Sequence, residues 1–295
     1  MTTIDPTTPV TVPTRPDEAR IARRERIRLL LRSPAFITGL LLFGIWAICA
    51  VFGPLIAPDD PYADDLLNDL VGPSGDHLFG TDRLGRDVLS RVIVGAREIL
   101  IMAPLATLLG TVVGTAIGLV TGYYRGLVDE AIMRLVDALL SIPLVITALL
   151  AVVALGPSRV TLILVIGVVF APIIARTVRA AVLGERELEY VQAARLRNER
   201  SPYIMFAEIL PNVAAPIIVE FTVRLGYAIF TIATLSFLGF GADPSIPDWG
   251  ADIAEHYQFI SGGVWWAVLF PALAIATLIV GINLIADKIA QTYER

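Results

Sequence analysis

Six apolar stretches punctuate this chain, at about 35–57, 100–123, 131–155, 160–174, 213–238 and 264–285. Each approaches the ~20 residues an α-helix needs to cross a ~30 Å hydrocarbon core. In lipid every backbone N–H and C=O must be satisfied inside the segment, so such stretches fold as helices. The expectation is an all-α membrane protein with six transmembrane helices. Composition agrees, because 56% of the 295 residues are hydrophobic and only 17% charged, too little polar surface for a water-soluble body. The first stretch is too long for a secretory signal, and Ile48 precedes Cys49 where a lipoprotein signal wants a small residue, so it reads as an uncleaved span.

Arginine placement sets the expected orientation. With both termini inside, seventeen basic residues fall on the cytoplasmic side, five (Arg83, Arg86, Arg91, Arg97, Arg159) on the outer side, and Arg224 within the fifth span. Acids lean outward, with Asp59, Asp60, Asp64, Asp65, Asp69, Asp76, Asp82 and Asp87 crowding the first outer segment. The organisation follows as a tail at 1–34, a first span at 35–57, an extracytoplasmic segment at 58–96, a five-helix core at 97–287 and a tail at 288–295. A Thr/Pro-rich start at 1–16 reads as disordered, and the basic stretch 18–32 as a helix on an anionic leaflet or a flank that orients the first span. Two connections, 58–96 and a cytoplasmic loop at about 175–212, exceed the ~12–15 residues beyond which a loop usually has structure or function of its own.

Several chemistries are excluded. The single cysteine, Cys49, allows no intrachain disulfide, and His77 and His256 stand too far apart for a local zinc motif, so no metal is expected. The only lysine is Lys288, in Asp287-Lys288-Ile289, so the Gly-Lys-Ser/Thr of a phosphate-cradling P-loop is absent. No catalytic residue and no nucleic-acid partner is expected.

Within the second span Gly110, Gly114, Gly118 and Gly122 recur every fourth residue. Small-residue ridges let helix backbones approach closely where lipid supplies no hydrophobic drive. This row should therefore pack against protein, and bulky substitutions in it should impair assembly with a partner subunit. Glu220 and Arg224, four apart in the fifth span, share a helix face and should pair or face a wet cavity. Arg134 and Asp137 read as structural charges at an inner membrane edge.

The long inner loop carries Tyr190-Val191-Gln192-Ala193-Ala194-Arg195-Leu196-Arg197-Asn198 and then Ile209-Leu210-Pro211-Asn212. Its small and polar residues suit two short helices joined at Asn198, since Asn accepts the left-handed conformation that ends a helix. Such an exposed helix–turn–helix is shaped to insert into a cytoplasmic partner.

At these residues the chain resembles the C-type permease subunit of dipeptide/oligopeptide ABC importers. The loop is similar to that family's EAA coupling loop, with Tyr190, Gln192, Ala193, Ala194, Asn198 and Pro211 at the coupling positions. Gln192 stands in the Glu position and Asn198 in the Gly position. The outer segment Phe79-Gly80-Thr81-Asp82-Arg83-Leu84-Gly85-Arg86-Asp87 resembles the family motif through Gly80, Asp82, Gly85, Arg86 and Asp87. Gly122-Tyr123-Tyr124 with Arg134, Asp137 and Pro143 resembles the third-span entry, and Leu235-Ser236-Phe237-Leu238-Gly239 through Trp249-Gly250 the last outer loop. The chain departs from the pattern at Ile232, which replaces a frequent acid, at Glu208, which replaces His, and in the tail 290–295, which lacks a basic ending.

The resemblance implies a type I ABC importer permease fold working by alternating access. It implies a second homologous permease subunit, two ATPase subunits that carry the ATP and Mg chemistry, an extracytoplasmic substrate-binding protein and membrane lipid as partners, in a bacterial cell membrane; this chain itself would bind no cofactor. The implied solute is a dipeptide or oligopeptide, with nickel, glutathione or another small solute as the alternative. An autonomous ion-coupled carrier or channel would need repeats, broken helices or several intramembrane charges, and a membrane enzyme would need a reactive cluster that the spacing does not show.

Overall fold

The computed structural model describes residues 30–241 and 245–293, and within them the regular structure is helical, with one isolated bridge between Thr81 and Asp87 and a largely irregular segment at 57–87. The disordered start expected at 1–16 and most of the basic stretch at 18–32 lie outside the described residues. Helix α1 runs Pro34–Ile56, α2 Val88–Tyr124, α3 Leu127–Leu140, α4 Leu144–Leu155 and α5 Arg159–Glu185. Then come α6 at Glu189–Leu196 and a helical segment α7 at 201–212 with a π turn at Ile204–Ile209. Helix α8 spans Ala214–Leu235, α9 Trp249–His256 and α10 Trp266–Tyr293. Five helices are long and apolar enough to cross a membrane, and a sixth span forms if α3 and α4 are counted together.

That third span corrects the uniform helix expected at 131–155. Its two halves meet at 90°, because Pro143 has no N–H to donate and forces the preceding Ile142 out of the helical region. The 12 residues of α4 reach only roughly 18 Å, short of the ~30 Å core. Helix α3 is tied to α5, with Asp129 gripped by Arg179 at 2.6 and 2.7 Å and Asp137 3.5 Å from Arg176. Arg134 therefore pairs with Glu130, not with Asp137. An apolar cavity of about 240 Å³ sits in the elbow, lined by Leu139, Ile142, Pro143, Thr147, Val168 and Pro172 among others.

Two other boundaries move. Helix α2 begins at Val88, inside the stretch expected to be loop, because Asp87 caps it by accepting from Ser90 N at 2.7 Å. Its 37 residues extend roughly 55 Å, so its first turns stand clear of the hydrocarbon. Helix α5 likewise runs on through 175–185, and the true loop starts at Arg186.

The core is organised around α2 and α5, which lie parallel. A Cβ at Gly110, Gly114 or Gly118 would stand 2.8, 2.7 or 2.8 Å from the carbonyl oxygens of Gly167, Ala171 and Ala175, and one at Gly122 would meet Val182 at 2.7 Å. Each step of four on one helix thus matches a step of four on the other. The glycine row thus packs against protein as its spacing led one to expect, and the protein it meets is α5 of the same chain. A second close approach joins α1 to α10, where a Cβ at Gly39 would fall 2.7 Å from the Gly281 carbonyl oxygen.

Candidate functional site

The helix–turn–helix between α5 and α8 is built as a small hydrophobic sandwich. Val191 and Ala194 of α6 and Ile204, Met205 and Ile209 of α7 are buried. Asn198 holds the turn at φ 57°, one of three non-glycine residues with positive φ among the described residues. Asn198 N donates to Arg195 O at 2.9 Å and Glu199 N to Ala194 O at 3.2 Å, closing the end of α6. Pro211 explains the π turn, because its missing N–H and its ring disturb the preceding turn. Leu210 N then reaches back five residues to Met205 O. Asn212 Nδ2 donates to Glu208 O at 2.8 Å, and Arg197 lies 3.5 Å from the Glu208 carboxylate.

Of the expected coupling residues, Gln192 and Ala193 are exposed on α6, while Ala194 faces inward at the contact with α7. Gln192 Nε2 donates to Glu187 O at 2.9 Å, so its carboxamide closes the start of the same helix. Tyr190 is half-buried, and burial pushes its phenol up. Pro211 is exposed at the far end. Leu196, 85% exposed, projects with Tyr203 and Phe206 from a segment outside the spans. Arg195, Arg197, Glu199 and Arg200 are exposed on the same segment.

Three residues that spacing did not reveal connect this loop to the spans. The Arg195 guanidinium lies 5.1 Å over the Tyr123 ring. Arg186 Nη1 donates to the last-turn carbonyls of α2, Tyr123 O at 2.6 Å and Gly122 O at 3.3 Å, where the negative end of the helix dipole favours a cation. The contacts join residues more than 60 positions apart, a separation no local pattern encodes.

At the opposite end, the 80–87 motif folds into a closed turn. Gly80 and Gly85 sit at φ 73° and 75°, and a Cβ at Gly85 would coincide with the Asp65 carbonyl. Asp82 is buried, accepting from Leu84 N at 2.8 Å, Arg86 N at 3.0 Å and Arg86 Nε at 2.7 Å. The turn is sewn to α9 and α10 by contacts the sequence did not show. Arg91 meets Asp252 at 2.5 Å, Trp249 Nε1 donates to Val92 O at 2.9 Å, and Trp266 Nε1 donates to Thr81 O at 3.0 Å. His256 Nε2 accepts from Arg83 N at 3.3 Å, and Arg83 also pairs with Glu255. Asp59, His77 and Asp87 also converge here, with His77 Nδ1 3.1 Å from Asp87 and 3.8 Å from Asp59. The fold therefore draws His77 to carboxylates that the histidine spacing left out of account.

Within the spans, Arg224 Nε donates to Glu220 at 2.9 Å and stacks 5.2 Å from the Tyr227 ring, while Thr177 Oγ1 donates to the other carboxylate oxygen at 2.9 Å. The pair is satisfied from two helices, α8 and α5.

Residues 114–295 match the family described as Binding-protein-dependent transport system inner membrane component, and 23–73 match the N-terminal TM domain of oligopeptide transport permease C. The dipeptide transport system permease protein DppC of Alkalihalophilus pseudofirmus is 38% identical over 92% of this chain and 89% of its own. The glutathione transport system permease protein GsiD of Escherichia coli is 37% identical over 95% of this chain and 92% of its own. Among solved structures, the inward-facing methionine ABC transporter MetNI has a chain that aligns with a TM-score of 0.56 at 20% identity, covering 70% of this chain and 97% of that one. That likeness fixes the fold as the type I ABC importer permease fold.

Proposed function

Because the chain belongs to the family of binding-protein-dependent transport system inner membrane components, we propose that it forms half of the translocation pathway of an ATP-driven importer for short peptides. The exposed helix–turn–helix at 189–212 carries this reading, since it presents Leu196, Tyr203 and Phe206 outside the spans on a chain with no P-loop of its own. Two separate ATPase subunits would each grip one such loop, one from this chain and one from a second permease subunit, and would hold the ATP and Mg. An extracytoplasmic binding protein would deliver the solute to the outer cap built from 57–87 and α9. Both termini would then be cytoplasmic, in a bacterial cell membrane.

Movement of α6 and α7 with the ATPases would reach α2 through Arg195 on Tyr123 and Arg186 on the α2 carbonyls. The glycine row would carry it on to α5. The elbow at Pro143 is the point where the core can give, so that α3 and α4 swing while α2 and α5 stay locked. Peptide is the favoured solute because relatives across nearly the whole chain transport dipeptides, and the relative that transports glutathione also handles a small peptide.

Reconstitution tests the proposal. Proteoliposomes holding this chain, its second permease, the two ATPases and the binding protein should accumulate labelled dipeptide only with ATP inside the coupled complex. Accumulation by this chain alone, or without ATPases, would overturn it.

A further inference from the structure

Five arginines lie on the side proposed to be outer, and four have a carboxylate partner. Arg83 meets Glu255, Arg86 meets Asp82, Arg91 meets Asp252 and Arg159 meets Glu98. Arg97 is exposed and has no hydrogen-bond or ion-pair partner among the described residues. It lines the top of a groove of about 420 Å³ whose other walls are apolar, between α1 and α2 with one residue, Leu225, from α8.

The groove has a direction. Gly53, near the end of α1, packs on Ile93 and Val94, so Arg97 lies one helical turn deeper, about 5 Å further in. From there the walls descend along α2 through Leu100 and Ile101 to Pro104 and along α1 from Val51 through Ala50 and Ala47 to Phe43. Seven helical steps from Arg97 to Pro104 and eight from Val51 to Phe43 make the groove roughly 10–12 Å long, about a third of the hydrocarbon core. Its shape is permissive because Ala47 and Ala50 carry almost no side chain and Pro104 interrupts the α2 ladder. Helix α1 is the least buried of the spans, so this face is peripheral in the subunit.

We propose that this groove is a phospholipid site of the outer leaflet, with the phosphate on Arg97 and one acyl chain along Ala50, Ala47 and Pro104 toward Leu225. Charge complementarity selects the occupant. A cation held at the edge of the hydrocarbon needs an anion at the same depth, and a long arginine stem can lift its guanidinium to the phosphate level while its carbons line the groove. A phosphate offers the planar guanidinium a bidentate, charge-assisted contact, and an acyl chain fills an apolar channel of this direction with no polar group left unmet. The site rests on the orientation proposed above and not on the identity of the solute.

Native mass spectrometry of the assembled transporter in detergent tests it, with phosphatidylglycerol as probe and the matching diacylglycerol as a headgroup-free control. The intact complex should retain phosphatidylglycerol and release diacylglycerol. Arg97→Gln should lower apparent affinity for phosphatidylglycerol about tenfold, the loss expected for one charge-assisted contact, and Arg97→Lys should lower it less. Ala47→Phe, which fills the groove while leaving Arg97 in place, should lower retention as well, and Arg32→Gln, another exposed arginine, should not. Equal retention by wild type, Arg97→Gln and Ala47→Phe would overturn the site. So would a cysteine at Ala50 that cross-links efficiently to the second permease subunit, since protein would then occupy the groove.

Discussion

The guanidinium of Arg195, on the first helix of the helix–turn–helix, rests 5.1 Å from the centre of the Tyr123 ring at the foot of α2. A cation over an aromatic face contributes about 0.5–1 kcal/mol at an exposed site, enough to change a coupling ratio up to roughly fivefold. Tyr123→Leu is therefore expected to lower solute moved per ATP hydrolysed by up to about fivefold while the complex still assembles and hydrolyses ATP. Tyr123→Phe should stay near wild type. Paired uptake and phosphate-release assays on the same proteoliposomes decide this, and unchanged stoichiometry in Tyr123→Leu would refute the contact's role.

Asn198 turns the loop at φ 57°, a conformation that costs most non-glycine residues about 1–2 kcal/mol. Asn198→Gly should preserve the loop, and Asn198→Val should weaken ATPase retention during purification by about tenfold. A bulky residue at the buried Ala194 should separate α6 from α7 and uncouple hydrolysis from transport. Normal transport in both Asn198→Val and Ala194→Leu would remove the loop from the coupling route.

The α2–α5 contact predicts where glycine substitutions act. Gly118→Leu meets Val178 and the Ala175 carbonyl, and overpacking of this kind costs about 1–3 kcal/mol or more. The isolated chain itself should lose melting temperature and expression, with Gly118→Ala less affected. If the isolated chain keeps its melting temperature while only the permease pair falls apart, the row serves pairing instead.

The Glu220 carboxylate accepts from Arg224 on its own helix and from Thr177 across the helix pair. Removing one partner leaves a half-buried charge, so Glu220→Ala should destabilise by about 3 kcal/mol and Glu220→Ala/Arg224→Ala by less than the sum of the single changes. Denaturation in mixed micelles supplies the cycle, and additivity would dissolve the pair.

Asp248 caps α9, accepting from Gly250 N and Ala251 N, and takes a hydrogen bond from Ser236 Oγ at 2.8 Å. Burial nevertheless pushes its carboxyl above the usual range, against the pull of those hydrogen bonds. The folded chain thus holds a proton that the unfolded chain releases, so this stabilisation is complete below the ordinary carboxylate pKa and is lost as pH rises through the raised one. Asp248→Asn should therefore gain on the wild type across that window and hold a constant lead above it. Parallel pH–melting curves for the two proteins would contradict this.

Much of this architecture is written locally. Lipid forces the spans to announce themselves as apolar runs, and the turn at Asn198 follows from one residue's tolerance of positive φ. The elbow at Pro143 was hidden because 131–142 and 144–155 together are apolar enough to read as one span, although Arg134 and Asp137 make the first half the more polar. The start of α2 was hidden for another reason. Arg91 looks like a loop charge until Asp252, 161 residues away, is seen to neutralise it. The Arg195–Tyr123 and Arg186–Tyr123 contacts are of the same kind, because their partners meet only after α2 and α5 have packed.

The parallel glycine contact between α2 and α5 also has a mechanical meaning. Two helices fused over four successive turns bend far less readily than either would alone, so together they form a single girder running the height of the subunit. A push delivered at its foot, near Tyr123, is then felt at its head, near Arg91, with little loss along the way. The foot meets the helix–turn–helix and the head is bolted to α9, so under the proposed function opening on one face and closure on the other would be two ends of one rigid tilt.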